Sequence, residues 1–71
     1  MAKTIIDLKD IVKLGGGLSI DATMRTTTDL KDLARLLAPK ATLIIRNADS
    51  KIPSDLKEIA KIASGAVIFE I

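Results

Sequence analysis

The chain has 71 residues, enough for one small domain and too few for two. It carries 11 Lys and Arg against 9 Asp and Glu, a formal charge of +2, and it has no His, Cys, Trp or Tyr. Those absences exclude a disulfide framework, zinc sites built on His or Cys, Cys nucleophiles and Ser-His or Cys-His dyads, so the composition points away from an enzyme.

The apolar fraction of 48% is too high for a disordered segment and comes almost entirely from Ile, Leu, Val and Ala. The core is therefore expected to be layered and aliphatic, with Phe69 as its single aromatic. No apolar run approaches the roughly 18 residues of a membrane span. Asp7, Lys9 and Asp10 interrupt the opening segment, which begins Met1-Ala2-Lys3-Thr4, so it does not read as a signal peptide. These features lead us to expect a cytoplasmic protein with no membrane association and no cofactor.

Along the chain, one seven-residue pattern occurs three times. The copies are Asp7-Leu8-Lys9-Asp10-Ile11-Val12-Lys13, Asp29-Leu30-Lys31-Asp32-Leu33-Ala34-Arg35 and Asp55-Leu56-Lys57-Glu58-Ile59-Ala60-Lys61. Their first residues, Asp7, Asp29 and Asp55, are 22 and then 26 residues apart, the spacing of supersecondary repeats. Each copy places aliphatic residues at i, i+3 and i+4, the stripe of an amphipathic helix. Lys9, Lys31 and Lys57 point away from that stripe. The pairs Asp10–Lys13, Asp32–Arg35 and Glu58–Lys61 are spaced to meet on the solvent side.

The first helix is expected over 4–14, ending at Gly15-Gly16-Gly17. A strand is expected over 18–22. The second helix is expected over 28–37, capped by Thr28 and stopped at Pro39, with a strand over 41–46. The third is expected over 54–63, capped by Ser54 and stopped at Gly65, with a strand over 66–71. The Asp-x-x-acid spacing within each copy is also that of a capping box with Asp as the cap.

Helix and strand alternate, so the strands should pair in parallel through right-handed crossovers. The predicted fold is α/β: three helix–strand repeats, near 4–22, 27–47 and 53–71, in one domain over 1–71. They form a three-stranded parallel sheet of order 1-2-3 with all helices on one face, a solenoid-like arrangement. Aligning the repeats puts Leu18, Leu43 and Val67 in one row and Ile20, Ile45 and Phe69 in the next, both facing the helices. Ser19, Ile44 and Ile68, then Asp21, Arg46 and Glu70, face the other way.

This layout is similar to that of α/β solenoids such as the leucine-rich repeats. The leucine-rich signature and its Asn ladder are not matched; Asn47 lies near such a position, but the first copy offers Ala22 or Thr23 there. The resemblance is therefore one of layout alone.

Few features point to chemistry. The glycines at 15–17 follow a helix and precede a strand, the reverse of a phosphate loop, so they read as a helix end and turn. Beyond the strand ends, Arg25, Thr26, Thr27 and Lys51 gather near two helix N-termini, where an anion could bind. Helix capping and turn formation account for the same residues. Two acids flanking Arg46 read as sheet-stabilising neighbours, with no activated nucleophile among them. No catalytic residue and no metal ligand is assigned.

The open sheet face is the most informative feature, because parallel sheets are normally covered on both sides. Thr42, Ile44, Arg46, Ala66, Ile68 and Glu70 are its expected contact residues. Our first expectation is a small non-enzymatic interaction module that self-associates, as a dimer, or binds a protein partner through this face or an edge strand. The alternative is a small regulatory protein that binds an anion or nucleic acid at the helix N-termini. Without a basic cluster or stacking aromatics, nucleic acid is the less favoured partner.

Overall fold

The computed structural model describes residues 4–71; Met1, Ala2 and Lys3, the start of the predicted domain and of the opening segment, lie outside the described residues. The chain runs α1 (Ile5–Lys13), β1 (Leu18–Asp21), α2 (Thr27–Leu36), β2 (Thr42–Arg46), α3 (Pro53–Ile62) and β3 (Ala66–Phe69). Short 3-10 turns at Ala22–Met24 and Ala48–Ser50 follow the first two strands. The sheet is parallel in the order β1-β2-β3, as predicted. Leu18, Leu43 and Val67 stand side by side, and so do Ile20, Ile45 and Phe69. No helix among the described residues is long and apolar enough to cross a membrane.

The helix starts shift by one residue from those the sequence suggests: α1 begins one later, at Ile5, and α2 and α3 one earlier, at Thr27 and Pro53. Thr4 caps α1: its hydroxyl accepts from the Asp7 N–H at 3.2 Å, and the Asp7 carboxylate accepts from the Thr4 N–H at 3.4 Å. That is a capping box, with two orphan donors satisfied reciprocally. Thr26 caps α2 through a single bond, its hydroxyl accepting from the Asp29 N–H at 3.1 Å. Ile52 holds the cap position of α3 without a side-chain bond, and Pro53 opens that helix. Thr28 and Ser54, expected as caps, therefore lie inside the first turn. The Asp that opens each repeat is the third helical residue and not the cap, with its charge near the positive helix end.

The ends follow from local chemistry too. The Gly15 N–H donates to the Val12 carbonyl and the Gly16 N–H to the Ile11 carbonyl, closing α1 in a Schellman motif. Gly15 takes φ +97°, where a side chain is strained. At the end of α2, the Ala34 carbonyl accepts from the Ser64 backbone and the Arg35 carbonyl from the Ser64 hydroxyl, at 3.0 and 2.9 Å. The third unit thus satisfies the open end of the second helix.

Strand ends also shift. β1 stops at Asp21 because Ala22 turns inward into the first 3-10 turn, fully buried, as Ala48 is in the second. β2 begins at Thr42, one residue later than predicted, and β3 ends at Phe69. Glu70 still donates its N–H to the Ile45 carbonyl and accepts from the Ala48 N–H.

Among the described residues the core is wholly apolar, with no buried polar or charged residue. The middle unit supplies most of it: Leu30, Leu33, Ala34 and Leu37 from the α2 region, and Leu43 and Ile45 from β2. α3 contributes one fully buried residue, Ile59.

Gly65 lies where the chain passes the end of α2. A Cβ there would fall 2.5 Å from the Ala38 carbonyl oxygen and 2.8 Å from that of Ala41. Backbone on both sides cannot give way as a side-chain tip can. Gly65→Ala is expected to destabilise the fold by roughly 1–3 kcal/mol, as overpacking does. A thermal melt of the variant checks this; an unchanged midpoint contradicts the close approach.

Candidate interaction surface

All three helices pack on one face of the sheet, against the rows of Leu18, Leu43 and Val67 and of Ile20, Ile45 and Phe69. Strand alternation sends the intervening residues to the other side. Ser19, Ile44 and Ile68 form the central row of that open face and stand in register. Thr42 and Ala66 stand beside each other one step before it. Ile68 is 49% exposed, Ala66 is exposed, and Ile44 and Thr42 are half-buried. The face is therefore a small apolar strip rimmed by polar groups.

The charged row differs from expectation. Asp21 stands beside Arg46 in register, yet the two form no ion pair. The Asp21 carboxylate is held instead by its own corner. Its Oδ1 accepts from the Thr23 hydroxyl at 2.7 Å, the Thr23 N–H at 2.9 Å and the Asn47 amide at 3.1 Å. Asn47 reaches it from φ 54°, a left-handed conformation that Asn tolerates better than most residues. Asp21 thereby ties the corner after β1 to the corner after β2. Arg46 and Glu70 are exposed and make no ion pair among the described residues.

The residues expected at an anion site do come together, with bonds to the chain itself. Thr26 caps α2, and the Thr27 hydroxyl donates to the Asp55 carboxylate at 3.2 Å. The Lys51 ammonium donates to the Arg25 carbonyl at 2.9 Å, and Arg25 is half-buried. These bonds join the start of α2 to the start of α3.

The helix side of the molecule carries a feature that sequence reading missed. Lys9 of α1 pairs with Asp32 of α2 at 3.5 Å, and Lys31 of α2 pairs with Glu58 of α3 at 3.1 Å. The third residue of each repeat thus meets the fourth residue of the next. Of the expected pairs within a helix, only Asp32–Arg35 forms, at 3.7 Å. The signal was present, since each copy has a base followed by an acid, but it is legible only once the helices are known to lie side by side in chain order.

No three His, Cys, Asp or Glu side chains among the described residues could hold a metal ion together. No family model matches the chain, and no curated protein or solved structure matches it either.

The three bonds at Asp21 favour its ionised form. The Thr23 hydroxyl contributes most, then Asn47 and the Thr23 backbone, with a smaller contribution from the Arg46 charge, and together they hold the carboxyl below its ordinary value of 3.8. A depressed pKa in the folded state stabilises the fold above pH 3.8, and that stabilisation is lost as the pH falls through the folded-state value. Asp21→Ala is therefore expected to lower the melting midpoint at pH 7, with the deficit narrowing below pH 3.8. Melts of both chains at pH 7 and in strong acid measure it; a deficit independent of pH contradicts the ionised network.

Proposed function

We propose that the chain is a small non-enzymatic interaction module, working in the cytoplasm, that self-associates or binds a protein partner through the uncovered side of its sheet. The observation that carries this reading is the apolar strip of Ile44 and Ile68 on a parallel sheet with helices on one side only. Parallel sheets are ordinarily covered on both faces, because their crossover helices are distributed over both. A chain this short has limited core, and association is a common remedy.

Two copies packed sheet to sheet would remove Ile44, Ile68 and Ala66 from water, with the layers about 10 Å apart. Thr42 sits beside this centre. Arg46 and Glu70, opposite in charge and without ion-pair partners among the described residues, would fix orientation at the rim. The absence of His and Cys, and of any residue type with an evident means of activation, supports a binding role over a catalytic one.

Ile68→Lys puts a charge on the exposed strip without touching the helix-side core. The variant is expected to show unchanged helical circular dichroism and a lower solution mass than the parent chain at equal concentration. Ile44→Asp should act in the same direction. Variants that fold and associate as the parent does would show that this face is not the contact.

A further inference from the structure

The three units differ in burial, and the differences fall on the two ends of the row. In α2, Leu30, Leu33 and Ala34 are all fully buried. In α3, the residue aligned with Leu30 is Leu56, half-buried, and the one aligned with Ala34 is Ala60, exposed. In α1, Ile11 aligns with Leu33 and is half-buried, and Leu14 aligns with the half-buried Leu36 and is 89% exposed.

The ion pairs show which side of each helix meets which neighbour. Lys9 and Lys31 reach toward the following unit, and Asp32 and Glu58 toward the preceding one. Residues three or four apart share a helix face. Ala34 therefore lies on the side of Lys31, and Leu36 on the side of Asp32. By the same spacing Lys57 and Ala60 share the open side of α3, and Asp10 and Leu14 share the open side of α1. Lys57 and Asp10 have no ion-pair partner among the described residues, whereas Lys9, Lys31, Asp32 and Glu58, which align with them, all do. The sheet ends in the same way: β1 and β3 each have one unpaired edge, in parallel orientation.

One end therefore offers a base and the other an acid, each beside under-buried apolar residues, at the positions that join the units within the chain. We propose that a second copy of this chain stacks head to tail on the first, so that Lys57 pairs with Asp10 of the second copy and β1 of the second copy extends the sheet beyond β3. The stack continues the rows of the sheet, setting the half-buried Val67 and Phe69 beside Leu18 and Ile20 of the next copy. It covers Ala60 at one end and Leu14 at the other. Exposed ion pairs add little affinity, so the charges set register and reject like-charged approaches while the apolar residues supply cohesion. The contact is heterologous, and it propagates until the stack closes into a ring or runs on as a fibre. The proposal rests on the reading of the chain as an association module but uses the ends of the sheet and not its open face.

The test separates the two contacts by placing every sample on an Ile68→Lys background, which disables the open face. One variant adds Lys57→Asp and a second adds Asp10→Lys. Each alone sets like charges at every junction, whereas an equimolar mixture alternates and restores opposite charges at all of them. Light scattering at low salt, over concentrations up to about 1 mM, reads the mass. The background chain is expected to assemble as concentration rises, each variant alone to assemble roughly tenfold more weakly, and the mixture to recover the background affinity. Ala60→Arg, at an exposed position that tolerates bulk, should weaken assembly while circular dichroism stays unchanged. A background chain that remains single at every concentration overturns the proposal, and so does a mixture no larger than its separate components. Comparison of the parent with the Ile68→Lys background reads the open face independently.

Discussion

Everything in this fold depends on one constraint: a helix–strand unit buries its apolar surface only where another unit lies beside it. A single unit has a helix stripe and one strand face, and packing these together still leaves both flanks open. The middle unit has neighbours on both flanks, and its Leu30, Leu33, Ala34, Leu43 and Ile45 are fully buried. Burying a side chain of that size contributes about 1.5–3 kcal/mol. The outer units have one neighbour each: Val12 and Ile59 are still fully buried, but Ile11, Leu56 and Ala60, which align with Leu33, Leu30 and Ala34, are half-buried or exposed. Stability is thus concentrated at the centre of the row.

The same constraint decides where polar groups act. Among the described residues no polar or charged side chain is buried, so none pays the desolvation cost of an interior charge. Polar contacts instead stitch neighbouring units together at their corners: Asn47 to Asp21, Lys51 to the Arg25 carbonyl, Thr27 to Asp55 and Ser64 to the end of α2. Each joins one unit to the next. They hold the units in register, while the aliphatic rows supply the bulk of the cohesion.

Much of this was legible in the sequence because two periodicities repeat in step. Leucines and isoleucines at helical spacing, followed by alternating runs, define the order of elements and align Leu18 with Leu43 and Val67. Helix starts were less legible. An acid in the first turn is compatible with several nearby starts; the hydrogen bonds of Thr4 and Thr26 fix those of α1 and α2, and Pro53 opens α3. The corner turns at Ala22 and Ala48 were hidden because alanine suits a strand end as well as a turn. The expected pairing of Asp21 with Arg46 failed because Thr23 and Asn47 are closer competitors for the carboxylate. The candidate contact face was legible from strand alternation alone, since Ile44, Ala66 and Ile68 interrupt a side that otherwise carries Ser19, Asp21, Thr42, Arg46 and Glu70. The ladder from Lys9 to Asp32 and from Lys31 to Glu58 required knowledge of which helices are neighbours, and a one-dimensional pattern does not carry that. The identity of a partner is illegible for a physical reason too. An aliphatic strip with one flanking pair of charges specifies shape and polarity, and lacks the aromatic anchors that mark a particular ligand.

The central claim is that the surfaces left open by three units in a row are contact surfaces between protein molecules, with other copies of the chain as their first occupants. The most direct measurement is the solution mass of the unaltered chain, by light scattering across a concentration series at low salt. The account predicts a mass above that of one chain, rising with concentration. A mass equal to one chain throughout, up to about 1 mM, an affinity floor near 4 kcal/mol, would contradict it.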